Sequence, residues 1–455
     1  MAHTLHGFGS PHPGLPEVRA EAAFDDGKPL YTKAQAKTEA SRCLYCYDAP
    51  CILACPTSIN IPEFIRKIAT DNVRGSARTI FDANILGTSC ARVCPVEVLC
   101  VGSCVYNHED IPPIRIGRLQ RYATDNALSE GWTFYEPGSP SGKSVALVGA
   151  GPASLACAHE LRKLGHHTVI YEKRTLPGGL NTTGVAPYKM IADVALAEVD
   201  WITESMDIEI KTGVEIGRDI TWDQLIADHD AVFVGVGLGP DSRLRIDGED
   251  TPGIVGGVAI IERWKCGGDS LLEGVTDAVV VGGGNTSLDA VRELLALGIP
   301  NVTLTYRRTA DAMPGYDHEW RYGLTEGANG AWHSQPVGIE KDESGRVAGI
   351  RCVRTEADPS DPSGRKLRNI EGSEFTLPAQ LVVVAVGQGK LESLLQGLQG
   401  VELDWGRIVT DEDGRTGNPR VFAGGDAANG GKEVVNAAAE GKRAAQSIDT
   451  MLRGA

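Results

Sequence analysis

VALVGAGPAS, Val145 to Ser154, is a short apolar run broken by two closely spaced glycines, with a helical pattern following from Ala153 to Leu164. Strand, glycine turn and helix in this order open a dinucleotide-binding βαβ unit. Gly149 and Gly151 permit the tight turn and let the backbone approach a pyrophosphate, which rests on the positive end of the following helix. The third glycine position holds Ser154, still small enough for close helix–strand packing. The next β-like run, HTVIYEK, carries Glu172 about 20 residues beyond the turn, where a carboxylate accepts hydrogen bonds from an adenosine ribose. The alternative is a glycine turn that binds nothing.

A second fingerprint, GGGNTS, runs from Gly282 through Gly284, Asn285 and Thr286 to Ser287 after the strand-like AVVV at Ala278. A helix is expected over Thr286 to Leu297 and a strand over Asn301 to Tyr306. Where the first unit has its acid, this one has Arg307 and Arg308. A ribose 2′-hydroxyl is matched by an acid, a 2′-phosphate by the planar donor fork of guanidinium. The pair favours NADP(H) over NAD(H), although two arginines at a loop are also ordinary solvated surface; the preference stays open. Two nucleotide sites of unlike character suggest a flavin, FAD, paired with a nicotinamide. Hydride given to a flavin can leave as single electrons, so no nucleophile or catalytic triad is expected, and no motif among the 10 histidines argues for one.

Eight of the 11 cysteines fall between Cys43 and Cys104. The first four, Cys43, Cys46, Cys51 and Cys55, read C-x2-C-x4-C-x3-C-P, a variant of the bacterial ferredoxin run. The next four, Cys90, Cys94, Cys100 and Cys104, read C-x3-C-P-x4-C-x3-C. Structural zinc usually shows paired C-x2-C knuckles, of which one is present. Two 4Fe-4S clusters are therefore expected, with structural zinc as the alternative. From about residue 33 to 130 the pattern is helical, with pieces over Ile61 to Ala69 and Gly75 to Ile85.

The chain has 455 residues, enough for roughly three domains of about 150. Hydrophobic residues make up 42% and charged residues 23%, which excludes a largely disordered chain. A formal charge of −16 argues against nucleic acid or an anionic membrane as partner. No apolar run approaches the roughly 18 to 20 residues needed to cross a bilayer, and Met1 to Gly9 does not read as a secretory signal; a cytoplasmic protein is expected. GFGSPHPGLPEV (7–18) should wrap a surface, EPGSPSGK (136–143) is a linker, and PSDPSGR (359–365) is a loop or hairpin tip. LVVVAVGQ at Leu381 is a further strand-like run. The expected architecture is α/β: a helical iron–sulfur domain (1–138), an FAD domain (139–257 with 387–455) and an NAD(P) domain (258–386).

CLYCYDAPCILACPTSINIPEFI and ILGTSCARVCPVEVLCVGSCVYNHEDIPPIRIGRLQRYATD resemble the N-terminal region of dihydropyrimidine dehydrogenase. GAGPASLACAHEL, GGGNTSLDAVREL and VFAGGDAANGGKEVVNAAAEGKRAA extend the likeness over nearly all the chain. The small subunit of glutamate synthase shares this architecture. Its second cysteine group usually runs closer to CP-x-x-C-E-x-x-C, so CPVEVLCVGSC favours the pyrimidine branch. The resemblance implies one cluster on Cys43, Cys46, Cys51 and Cys104, and another on Cys55, Cys94, Cys100 and the Gln120 amide, with Cys90 as the alternative to Gln120. It places Gly149, Gly151, Glu172, Gly179 and Leu180 on the adenine and pyrophosphate side of FAD. Gly425 and Asp426 fall on the ribityl or phosphate oxygens and the helix start near Val435 at the ring. Asp289 falls near the nicotinamide. GVAPYK (184–189) departs from the Gly-Ile-Pro-x-Phe pattern of the family, and no catalytic role is expected there. The closing segment is expected to return to the first domain. No stretch remains for an eight-stranded barrel of about 250 residues. A hetero-oligomer is therefore expected, in which an FMN-containing catalytic subunit receives the electrons and reduces uracil or thymine. A glutamate synthase small subunit, or a zinc-stapled interaction module, are the rival readings.

Overall fold

The computed structural model describes residues 12–267, 271–361, 363 and 366–454. Residues 1–11 of the opening stretch, and Pro362, Gly364 and Arg365 of the expected loop tip, lie outside them. Leu15, within the stretch expected to wrap a surface, is buried against Ala192 and Leu196.

The N-terminal region is helical, with α1 (Lys33–Ala40), α2 (Pro50–Leu53), α3 (Ile61–Ala69), α4 (Val73–Ala83), α5 (Gly87–Val93) and α6 (Ile116–Ser129). α3 begins where the Asn60 side chain accepts the Glu63 N–H (3.2 Å), a side-chain cap for one of the free amides of the first turn. Its Ile61, Phe64, Ile65 and Ile68 are buried with Ile80 and Phe81 of α4 and Leu119 of α6, the spacing of a one-faced helix. α4 starts and stops two residues before the expected 75–85. Asn72 caps it through the Gly75 N–H (2.9 Å), and Asn84 turns to extended backbone at its end.

The chain then builds β1 (Ser144–Val148), α7 (Pro152–Lys163), β2 (His167–Glu172), α8 (Leu180–Thr183), α9 (Ala192–Met206), β3 (Glu209–Thr212), α10 (Trp222–Asp228) and β4 (Ala231–Val234). A second series follows: β5 (Ile254–Gly256), α11 (Gly257–Cys266), β6 (Asp277–Val281), α12 (Asn285–Ala296), β7 (Asn301–Tyr306), α13 (Asp317–Glu326) and β8 (Asn329–Trp332). After it come β9 (Ser334–Lys341), β10 (Val347–Ala357), β11 (Leu367–Asn369), β12 (Phe375–Pro378) and β13 (Leu381–Val384). The chain closes with α14 (Glu392–Leu395), β14 (Leu403–Asp404), β15 (Arg407–Ile408), β16 (Val421–Ala423), α15 (Asp426–Asn429) and α16 (Val434–Arg453).

Two five-stranded sheets result, with orders β16-β4-β1-β2-β3 and β5-β13-β6-β7-β8, each parallel throughout. Parallel strands are covered on both faces and so are apolar along their length, as in the fully buried Ala231–Val234 and Leu381–Val384. In each sheet the strand order reverses beside the strand that leads into a glycine turn, β1 or β6, and ligands bind at such switch points. β16 pairs with β4, so the closing segment lies in the first sheet. β5 pairs with β13 in the second sheet, so the chain enters that sheet at Ile254 and not at the expected 258. β9 to β12 form a separate antiparallel sheet inserted before β13, which the sequence reading did not anticipate. Among the described residues no helix is long and apolar enough to cross a membrane.

α7 buries His159, whose Nε2 has no hydrogen-bond partner among the described residues and whose ring meets the Tyr135 ring edge-on at 4.9 Å. Burial, with Lys163 and Lys442 nearby, pushes its imidazole down to about 3. A free imidazole titrates near 6.5. Between these limits the unfolded chain binds the extra proton, so stability falls as the pH falls through the window, by up to ~1.4 kcal/mol per pH unit. His159→Phe is expected to flatten this acid limb in urea unfolding at pH 7 and pH 5; an unchanged slope would place the acid sensitivity elsewhere.

Candidate functional site

The two glycine turns are built alike. Gly149 has φ +89°, and a Cβ there would lie 2.7 Å from the Gly235 carbonyl oxygen just beyond β4. Gly282 has φ +147°, and a Cβ would lie 2.2 Å from the Ala385 carbonyl oxygen just beyond β13. In both units the first glycine is therefore pressed against the strand across the switch point, where a side chain has neither room nor an allowed backbone.

Around the first turn, Gly151 caps α7. The Ser154 hydroxyl is buried without a partner among the described residues and leaves no space for a side chain at Gly235. Glu172 is buried, and its oxygens accept the N–H groups of Ala150 (2.8 Å) and Arg174 (2.8 Å). It thus holds the turn itself, and each carboxylate oxygen keeps a lone pair for a hydroxyl. Gly179 precedes Leu180 at the start of α8 and packs on Gly151, a Cβ at 179 falling 2.9 Å from the Gly151 Cα. Gly425 starts α15, donates its N–H to Glu440 (2.7 Å) and lies against Ala153 and Ala437. It therefore touches the first turns of α7 and α16 together. Asp426 beside it accepts the Lys432 N–H (3.2 Å), and burial raises its carboxyl. Val435 is buried in the first turn of α16. Two long helices thus present positive N-termini near one glycine cradle, which suits a pyrophosphate.

In the second unit Gly284 caps α12, and the Asn285 side chain accepts the Tyr316 N–H (3.0 Å). Thr286 opens onto a cavity of about 310 Å³ shared by both units, which Leu238, Asp241, Lys390, Arg407 and Gly430 also line. Arg307 is exposed and lines a separate open cleft with Arg245, Gln335 and Lys366. Arg308 follows it, its carbonyl accepting the His333 N–H.

Asp289 is not isolated. Its Oδ1 accepts from the Tyr188 hydroxyl (2.5 Å) and from Lys189 Nζ (2.8 Å), and Lys189 also meets Glu319 (2.7 Å). Burial pulls Lys189 down, but Asp289, Tyr188 and Glu319 override it and hold the ammonium well above its usual range. Tyr188 and Lys189 belong to GVAPYK, where the sequence reading expected nothing. The signal was only a lysine and a tyrosine in a motif that had lost its usual residues.

Cys43, Cys46, Cys51 and Cys104 line one cavity with Ile61, Ile65 and Ile116. Burial, with Cys43 and Cys104 nearby, pushes the Cys51 thiol up to about 12, so metal binding here must displace protons. Leu44, Tyr47 and Leu53 are exposed around it at 60%, 104% and 84%. Cys100 is raised by burial and then by the nearby thiols Cys94, Cys55 and Cys51. Gln120 is buried in α6 and donates through Nε2 to the Gly87 carbonyl (2.8 Å), which leaves its amide oxygen as the end able to ligate. Cys90 accepts from the Asn84 amide (3.1 Å). A cavity ringed by four thiols, and a second trio beside it, fit iron–sulfur groups.

The two regions are joined by Glu198 of α9. Its buried carboxylate accepts the N–H groups of Thr88 (2.8 Å) and Ser89 (3.1 Å) and the Ser89 hydroxyl, capping α5. Asn181 of α8 donates to the same hydroxyl (3.0 Å), and the buried Lys265 donates to the Asn181 carbonyl (2.8 Å).

This fold and these sites define an NAD(P)H-dependent flavin and iron–sulfur oxidoreductase. A family model described as dihydropyrimidine dehydrogenase domain II, 4Fe-4S cluster, matches residues 19–132. One described as pyridine nucleotide-disulphide oxidoreductase matches residues 143–441, and the chain belongs to that family. It is 36% identical over 438 residues to the small chain of NADPH glutamate synthase from Escherichia coli K12, covering 93% of this chain and 92% of that one. It is 35% identical over 433 residues to the NAD-dependent dihydropyrimidine dehydrogenase subunit PreT of the same organism, covering 95% and 98%. The NADPH complex of FprA from Mycobacterium tuberculosis shares the fold, with a TM-score of 0.58 at 23% identity over 69% of this chain and 85% of that one. The cofactors are FAD, 4Fe-4S iron–sulfur and NAD(P)H, and the role is electron input.

Proposed function

We propose that this chain feeds electrons from NAD(P)H to a separate FMN-containing subunit that reduces uracil or thymine to the 5,6-dihydro form. The net reaction is NAD(P)H, a proton and pyrimidine giving NAD(P)+ and dihydropyrimidine. The observation that carries the electron-input part is the cavity shared by both glycine-turn units, together with the bond from Asn181 of α8 to Ser89 of α5, the helix that carries Cys90.

When bound, FAD takes a hydride and releases single electrons, which iron–sulfur clusters carry. The chain's own residues do the holding. Gly149, Gly151, Ser154 and Gly179 leave room for the FAD pyrophosphate, Glu172 fixes the turn and offers its free lone pairs to ribose, and Leu180 covers the site. Gly425, Asp426 and Val435 line the flavin side. Gly282, Gly284, Asn285 and Thr286 cradle the nicotinamide nucleotide, Arg307 and Arg308 meet its adenosine end, and Asp289 is held at its ring end by Lys189. Cys43, Cys46, Cys51 and Cys104 take one cluster. Cys55, Cys94 and Cys100 take the other, with Gln120 or Cys90 as fourth ligand. The half-exposed Cys43 and Cys46 put the first cluster close to the surface.

The pyrimidine acceptor is supported by the CPVEVLCVGSC spacing of the second cysteine group. A glutamate synthase acceptor is the second reading, favoured by an identity as high as that to PreT. The anaerobic chain is to be mixed in turn with a purified FMN-containing pyrimidine-reducing subunit and uracil, and with a glutamate synthase large chain, glutamine and 2-oxoglutarate. NAD(P)H oxidation coupled to uracil, and only with both subunits present, is the expected result. Coupling to the large chain instead, or uracil reduction by this chain alone, would overturn the proposal.

A further inference from the structure

Lys28 is half-buried and fixed in place beside the cysteine region. Its backbone is tied on three sides: the Lys28 N–H to Asp26 (2.9 Å), the Lys28 carbonyl to Arg121, and the preceding Gly27 N–H to the Tyr188 carbonyl (2.8 Å). Arg121 in turn grips Asp26 through both carboxylate oxygens. The side chain reaches inward and donates to the Cys94 carbonyl (3.0 Å). Among the described residues Nζ makes no ion pair.

Fixing a long lysine side chain costs up to about 2 kcal/mol of rotamer entropy, and withdrawing an ammonium from water costs more unless an anion compensates. The charged and titratable groups facing it are Glu97, Cys94, Cys100 and Lys189. Lys189 repels it and is spent on Asp289 and Glu319. Glu97 is half-exposed and faces His318 at 3.6 Å. Glu97 is the strongest attractive charge on it and the sulfurs of Cys94 and Cys100 add to that; thiols become anionic when they ligate metal.

We propose that Lys28 is the positioned cation that raises the reduction potential of the cluster held by Cys55, Cys94 and Cys100. This rests on the iron–sulfur reading above. Cluster potential depends on net charge and hydrogen bonding around the sulfurs. A one-electron reduction adds one negative charge beside the ammonium, with no proton transferred, so the cation favours the reduced state.

The test is an EPR-monitored redox titration of the anaerobic holoprotein as wild type, Lys28→Met and Lys28→Arg, with iron content measured alongside. In Lys28→Met one cluster is expected to shift to lower potential by at least a tenfold change in its reduced-to-oxidised ratio, about 59 mV for one electron. The other cluster should stay in place, and Lys28→Arg should match wild type. Shifts in both clusters or in neither overturn the proposal, as does an arginine variant that shifts like methionine. Loss of the second cluster from both variants also overturns it, by making Lys28 a structural residue. Absence of any cluster signal from wild type would instead remove the iron–sulfur reading itself.

Discussion

Gly149→Val is expected to purify without bound flavin and to lose NAD(P)H-dependent reduction of ferricyanide by more than about 100-fold, close to 3 kcal/mol of transition-state stabilisation. The residue sits at φ +89° with the Gly235 carbonyl oxygen 2.7 Å from any added Cβ. A β-branched residue must either push β4 aside or leave the left-handed region. Either movement displaces Ala150, whose N–H is held by Glu172 and whose carbonyl accepts from Gly178 (2.9 Å). FAD released on denaturation, counted per chain, is the measurement. Gly142→Ala is the control: that glycine also has positive φ (+73°), but open space surrounds it, so its flavin should be retained. Stoichiometric FAD in Gly149→Val would move the flavin site away from this turn.

Cys46→Ala is expected to halve iron and acid-labile sulfide, one 4Fe-4S cluster of about two, while FAD stays stoichiometric and is still bleached by NAD(P)H. The thiol lines the same cavity as Cys43, Cys51 and Cys104 and lies far along the chain from both glycine turns. On the proposed reading, in which this cluster lies nearer the surface, electron delivery to an acceptor subunit should fall by more than about 100-fold. Retention of all the iron would show that Cys46 is not a ligand. The same assay on Cys90→Ala and Gln120→Ala identifies the fourth ligand of the second cluster, because only the true ligand's loss should lower iron.

Legibility followed sequence distance. β1, β6 and β13 were readable because parallel strands buried on both faces appear as unbroken apolar runs, and α3 because its apolar residues recur on one face. β5 was missed because three residues carry no periodicity. β10, eleven residues whose alternation in burial is broken by register shifts, had its pattern further diluted by Gly349 and its two arginines. The glycine turns and cysteine spacings are local motifs and stood out. Lys189 with Asp289 and Glu319, Glu198 with Ser89, and Lys28 with Cys94 are pairings about 65 to 130 residues apart. They exist only once helices and sheets have docked, and nothing in the local pattern around any partner announces the other.

The chain of bonds from α5 through Glu198, Ser89 and Asn181 to Lys265 has a consequence for how the protein matures in the cell. Helix α5, which bears Cys90, helix α8 beside the first glycine cradle and helix α11 of the second unit share one set of buried polar groups. Each buried group is costly to leave unbonded. On the proposed ligand set, iron insertion at Cys94, the residue after α5, is expected to be coupled to flavin loading, and a polypeptide made during iron starvation should accumulate as a pale apoprotein. It would not persist as a half-assembled flavoprotein that spills electrons onto oxygen.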